Sequence, residues 1–204
     1  MKKKQKTERV RKPKQVRSKT KVKKVLEAGR KCFVKLGYAK TTMVKIAKEA
    51  GVSTGTTYSY FKDKNDVLKK ILKEHVENIL QPAEAVMDSL NEKSSLRSTL
   101  KKLIMTALDS PEDVGMDKIF HEQIMKDKEL QALAAGYRDR GLDICKKLVQ
   151  QFGNKKAKKD LEASAQIVVG LLDYCTHVNT LFPTNIPREK ACEIGIAMII
   201  AYFK

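Results

Sequence analysis

From Val22 to Phe203, apolar residues recur every three or four positions in block after block, and no run of useful length alternates apolar with polar. That period matches the 3.6-residue turn of a helix rather than the two-residue repeat of a strand, so the chain must bury its apolar surface helix against helix. The expected fold class is all-α. Val22, Val25, Leu26, Cys32, Phe33 and Leu36 place an amphipathic helix over 19–36, stopped by Gly37. Thr42 is positioned to cap a short second helix carrying Met43, Ile46, Ala47 and Ala50, and Gly51 ends it where a left-handed residue costs least. Ser53 then caps a third helix over 54–61. Asp63 precedes a longer fourth helix, in which Val67, Leu68, Ile71, Leu72, His75, Val76 and Ile79 run to residue 81 before Pro82 ends or kinks it. Further helical patterns occupy 95–108, 113–127, 129–151, 160–181 and 188–203.

The stretch IAKEAGVSTGTTYSYFKDK, residues 46–64, holds chemistry that core building does not need. Two short helices joined through Gly51 and Val52 form a helix-turn-helix, in which the first braces the second so that its amino-terminal end can enter a major groove. Ile46, Ala47, Val52, Thr57 and Phe61 fall on the side that packs against Phe33 and Leu36. Thr54, Gly55, Thr56, Tyr58, Ser59 and Tyr60 are left facing out. Short hydroxyls and a glycine permit close approach to phosphates and base edges, and a helix start favours anions. Lys62 and Lys64 follow, where they suit both the helix dipole and a phosphate backbone. A generic helical hairpin with a polar face has the same outline; charge argues against it.

The net charge is +18, and the first 75 residues hold 24 Lys/Arg against 6 Asp/Glu, while the remaining 129 balance at 18 of each. So one-ended an excess calls for a polyanion, nucleic acid first and an anionic membrane surface second. Residues 1–17 alone suit a solubilising tail as well as a DNA contact. Their lysines lead into more charge with no apolar segment or cleavage site, so a cytoplasmic location is expected. No membrane span is expected either, since the longest apolar run, IGIAMIIAYF, falls far short of the roughly 20 residues required. Cys32, Cys145, Cys175 and Cys192 form no CxxC pair and read as small buried hydrophobes in a reducing compartment. No nucleotide-loop, serine-elbow or zinc-protease motif occurs and the histidines are scattered, so neither an enzyme nor a cofactor nor a metal is expected.

Val25, Ala28, Phe33, Leu36-Gly37-Tyr38, Thr41-Thr42, Ile46-Ala47, Ala50-Gly51-Val52-Ser53, Gly55-Thr56, Tyr58, Tyr60-Phe61, Lys64 and Leu68 stand at spacings that resemble the DNA-binding domain of the TetR family of transcriptional regulators. The resemblance covers residues 22–70. It implies a basic arm at 1–17, a three-helix helix-turn-helix domain at 18–63, and a helical ligand-binding and dimerisation domain at 64–204. Thr42 and Tyr58 are then expected on phosphates and Lys64 as a backbone clamp. Thr54, Gly55, Thr56, Ser59 and Tyr60 line base edges, with Lys45, Ser53 and Lys62 completing the DNA surface. Thr57 departs from the family pattern by standing where a large apolar residue is usual; its hydroxyl is expected to bond back to a carbonyl one turn earlier. A second departure is the length of the arm, which is placed to add phosphate or minor-groove contacts.

The resemblance also implies a homodimer reading a palindromic double-stranded operator. The two last helical segments are apolar most of the way round and must be covered on most sides; Ile167, Val168, Leu171, Ile196, Ile199 and Ile200 are the expected interface, an ordinary monomer core being the other reading. A cavity for a lipophilic small-molecule effector is expected among Met87, Leu103, Met105, Leu108, Phe120, Ile124, Met125, Tyr137, Val169, Leu172 and Tyr174. His121, Gln123, Asp173 and His177 are its polar anchors. Asp173 and His177, four apart on one helix face, read as an ion or hydrogen-bonded pair rather than metal ligands. The function so implied is that of a repressor released by its effector, and the alternative is a constitutive architectural nucleic-acid-binding protein. Deleting residues 1–17 should lower the slope of log affinity against log salt; an unchanged slope would mean that the arm's lysines touch no phosphate.

Overall fold

The computed structural model describes residues 16–108, 115–179, 181 and 184–204, with the backbone alone at 16 and 17. Among the described residues the regular elements are all helices: α1 (Val16–Lys40), α2 (Met43–Glu49), α3 (Thr54–Tyr60), α4 (Lys64–Asp88), α5 (Leu96–Leu108), α6 (Met116–Ile124), α7 (Lys128–Phe152), α8 (Lys155–Lys159), α9 (Leu161–His177) and α10 (Arg188–Phe203). Of the basic arm, residues 1–15 lie outside the described residues. The chain divides between Lys73 and Glu74 into two compact units.

The first unit is built on α1, whose residues Val25, Leu26, Ala28 and Phe33 are buried with Ile46 and Ala47 of α2, Thr57 of α3 and Phe61. Gly37, with φ 75 and ψ 160, breaks α1 near its end and turns the chain toward α2. The Thr41 hydroxyl locks that corner, lying 2.8 Å from the Gly37 carbonyl and 3.1 Å from that of Cys32. Gly51 closes α2 with φ 64: its N–H reaches the Lys48 carbonyl and the Val52 N–H reaches that of Ala47, the paired bonds of a Schellman motif. Both expected caps are present, with Lys45 N donating to Thr42 Oγ1 at 3.3 Å and Thr56 N to Ser53 Oγ at 3.1 Å. The division into compact units falls within α4, ten residues beyond the expected functional boundary at 63/64. The reason is that Val67, Leu68, Ile71 and Leu72 of the first turns of α4 are buried in the first unit, where Val67 and Ile71 close over Gly29 of α1.

In the second unit α7 packs along α9, α9 on α10, and α5 against both, while α6 lies on α7. Leu80, Leu100, Leu148, Val149, Ala165, Val168, Cys175, Ile196 and Ile199 form its core. Arg140 of α7 holds Glu77 at 2.8 Å and Glu84 at 3.0 Å, both on α4. Two expectations change here. Pro82 does not end α4, which continues to Asp88 with Ala83 and Met87 buried, so packing outweighs the lost backbone bond, worth about 3 kcal/mol. The segment expected as one helix from 160 is preceded by the short α8, and Asp160, at φ −103 and ψ 48, separates it from α9.

The apolar faces of α9 and α10 are also redrawn. Val168, Ile196 and Ile199 point into the core of their own unit, and Leu171 and Ile200 are half-buried. Ile167, Tyr174, Ile194, Met198 and Tyr202 remain exposed, at 65%, 38%, 49%, 54% and 39%. Gly51→Ala should lower stability by about 1–2 kcal/mol through its positive φ, since open space surrounds the position. Gly55→Ala, inside α3 with equally open surroundings and no positive φ, should be neutral or stabilising by up to about 1 kcal/mol. Chemical denaturation of both variants measures the contrast.

Candidate nucleic-acid interface

Helix α3 has one buried residue, Thr57, with Tyr58 47% exposed and Gly55 open to solvent. Thr54, Thr56, Ser59 and Tyr60 are partly covered rather than fully outward, because a seven-residue helix seated against α2 shelters its flanks. Thr57 behaves as its departure from the family pattern predicts: it is completely buried and its Oγ1 lies 3.4 Å from the Ser53 carbonyl one turn earlier. The hydroxyl is accommodated without an orphaned donor.

The hydroxyls of this surface differ in what they have left to offer. Ser53 and Thr56 lie 2.8 Å apart and share a hydrogen, and Ser59 donates to the Thr56 carbonyl at 2.7 Å. Ser59 therefore presents lone pairs, suited to adenine N6 or cytosine N4 donors. Thr54, Tyr58 and Tyr60 have no acceptor among the described residues, so they hold the donors suited to phosphate oxygens and guanine or thymine edges. Thr42 is exposed at the start of α2 and uses its oxygen to cap Lys45 N, which leaves its proton outward. The Lys45 ammonium rests on the Lys40 carbonyl at 2.7 Å, with two further protons available, and Lys62 is exposed. Val44, missed in the sequence reading, is 60% exposed between Thr42 and Lys45. A face count on α2 finds it, since it lies one turn from Lys48 and away from Ile46.

Lys64 is placed differently from expectation. Its Nζ donates to the carbonyls of Tyr38 (2.7 Å), Thr41 (3.0 Å) and Ala39 (3.3 Å) and sits 4.3 Å above the Tyr38 ring, which itself stacks on Phe33. All three ammonium protons are engaged inside the protein, and burial holds its pKa below the usual lysine value. The geometry is that of a cap on the end of α1 rather than of a phosphate clamp.

The residues expected around an effector differ widely in burial. Met87, Leu103 and Phe120 are packed core, while Met105, Met125 and His121 are exposed. Leu108, Gln123, Ile124, Val169 and Leu172 are half-buried, and Tyr174 is 38% exposed. Asp173 and His177 form a pair, Nδ1 to Oδ1 3.1 Å, and the hydrogen bond that the ring donates to the Asp173 carboxylate raises the His177 pKa. Tyr137 stands apart: its hydroxyl is buried without a hydrogen-bond partner, and burial followed by the nearby Glu77 raises its pKa.

A buried frame holding a turn-linked pair of short helices, with donors and a glycine on the outer side of the second, defines a helix-turn-helix DNA-binding protein. Residues 25–71 match the family described as bacterial regulatory proteins, tetR family. The fatty acid metabolism regulator protein of Bacillus subtilis is 32% identical over 80 residues, 39% of this chain and 40% of that one. Nucleoid occlusion factor SlmA of Actinobacillus pleuropneumoniae is 25% identical over 142 residues, 68% of each chain. The fatty acid degradation regulator FadR of Bacillus halodurans superposes with a TM-score of 0.69 at 20% identity, covering 93% of this chain and 97% of its own, so the all-helical fold is shared along nearly the whole length.

Tyr58→Phe should weaken binding to all duplexes alike, by about fivefold for one lost hydrogen bond. Lys64→Met should lower the melting temperature while leaving the salt slope of DNA binding unchanged. A slope smaller by about 0.9 would return Lys64 to the phosphate backbone.

Proposed function

We propose that this protein is a transcriptional regulator of the TetR type that, as a homodimer in the cytoplasm, occupies a palindromic operator and represses until a lipophilic effector releases it. The observation that carries the reading is the outer side of α3, where Thr54, Tyr58 and Tyr60 hold unspent donors beside the open Gly55. The same helix-turn-helix residues, Thr42, Lys45, Ser53 to Thr56, Tyr58 to Tyr60 and Lys62, supply the DNA contacts. Dimerisation is supported by the exposed Ile167, Ile194, Met198 and Tyr202, an apolar surface on two neighbouring helices that a second copy would cover. Effector binding is supported by the unpartnered Tyr137 hydroxyl, a polar group that a ligand or water must satisfy. The names of two relatives, regulators of fatty acid metabolism and degradation, agree with a lipophilic effector. Because α4 contributes to both units, a ligand that prefers one setting of the second changes the spacing of two reading heads. Engagement of successive grooves requires about 34–36 Å.

The likeness to a nucleoid occlusion factor favours a second reading, a constitutive DNA-binding protein without an effector. One experiment separates the two. Sites are selected from random duplexes with the full-length protein, and the best site is challenged with lipophilic metabolites. Repression by an inducible dimer predicts an inverted repeat and at least one compound that lowers affinity tenfold or more; binding blind to sequence, or unaffected by every compound, favours the second reading.

A further inference from the structure

Helix α5, LRSTLKKLIMTAL, contains no acidic residue. Its inner side is core: Thr99, Leu100, Leu103 and Ile104 are 0–6% exposed. Its outer side carries two adjacent ridges at four-residue spacing, Arg97–Lys101–Met105 and Ser98–Lys102–Thr106. The cations sit in the first half of the helix, and Met105, 51% exposed, lies in the second. Together with Val86 at the end of α4 these residues line a cavity of about 560 Å³. Among the described residues no carboxylate lines it, and Arg97, Lys101 and Lys102 take part in no ion pair.

That distribution is locally unfavourable. Positive charge near a helix start opposes the macrodipole, and like charges four apart repel. A bound anion relieves both effects. The far end of the groove asks for something else, since the half-exposed Met105 and the partly buried Val86 give it apolar walls. Arg97 and Met105 are eight residues apart, about 12 Å along the helix. A small inorganic anion would leave the apolar end bare, and a neutral lipid would leave the cations unmatched. We infer that this groove binds a long-chain carboxylate, its head between Arg97, Lys101 and Lys102 and its alkyl chain along Val86 and Met105. The site lies on the outer side of α5, apart from the buried Tyr137 hydroxyl, and its occupancy does not depend on whether the ligand alters DNA binding.

The chain has no tryptophan, so a dansyl reporter can be followed without interference from indole emission. The full-length protein is titrated with 11-(dansylamino)undecanoate, and the bound probe is displaced with oleate or with oleyl alcohol. Saturable binding displaced by oleate and not by the alcohol is expected. R97Q/K101Q/K102Q, whose melting temperature should be unchanged or slightly raised because the side chains are exposed and their mutual repulsion is removed, should weaken binding by about tenfold or more, and Met105→Gln by a smaller factor. Absence of saturable binding, equal displacement by the alcohol, or undiminished binding by the triple variant would each overturn the inference. DNA is absent from the experiment, so a failure here leaves the regulatory reading standing, and the reverse holds as well.

Discussion

A helix of seven residues has no stability of its own, since isolated helices shorter than about 12–15 residues are marginal in water. Helix α3 exists because both its ends and one of its sides are held by something else. Ser53 satisfies an amide at its start, the Thr57 carbonyl receives the Phe61 N–H at its end, and Thr57 is sealed against the first unit. Helix α2, also seven residues, is held in the same way by Thr42 and the Gly51 turn. With those constraints in place, the rest of α3 is released from structural duty, and its hydroxyls, rings and glycine are available to a partner. The presentation of a reading surface is thus a consequence of how little of the helix is needed for the core.

The same economy governs Lys64. The corner after Gly37 leaves the last carbonyls of α1 without helical partners, and the Lys64 ammonium satisfies three backbone oxygens of residues 38–41 at once. Because Lys64 is the first residue of α4, this places the start of α4 against the end of α1 and frames α2 and α3 between them. The residue that looked like a contact to an external anion is spent on the protein's own partial negative charges. In the second unit, by contrast, Arg97, Lys101 and Lys102 have no ion-pair partner among the described residues.

What was legible in the sequence, and what was not, follows from the range of the interactions. Caps by Thr42 and Ser53, the turn at Gly51, and the back-bonding of Thr57 act over three or four residues, so local spacing reveals them. Lys64 escaped because its partners lie 23 to 26 residues away, a tertiary contact that no periodicity encodes. The facing of α9 and α10 escaped for another reason: helices apolar on most sides do not disclose which side the protomer keeps. Val168, Ile196 and Ile199 went inward, and Ile167, Ile194 and Met198 were left outside. Least legible of all was where packing leaves polar groups unsatisfied: among the described residues the Tyr137 hydroxyl and Arg188 Nε are buried without a partner.

The direct test of the account is a titration of isotope-labelled, full-length protein with its selected duplex, followed by backbone and methyl chemical shifts. The largest changes should fall on Thr54 to Tyr60 and on Thr42 to Lys45, with the Val67 and Ile71 methyls little affected. Large shifts confined to the lysines of α8 or the outer side of α5, with α3 silent, would contradict it.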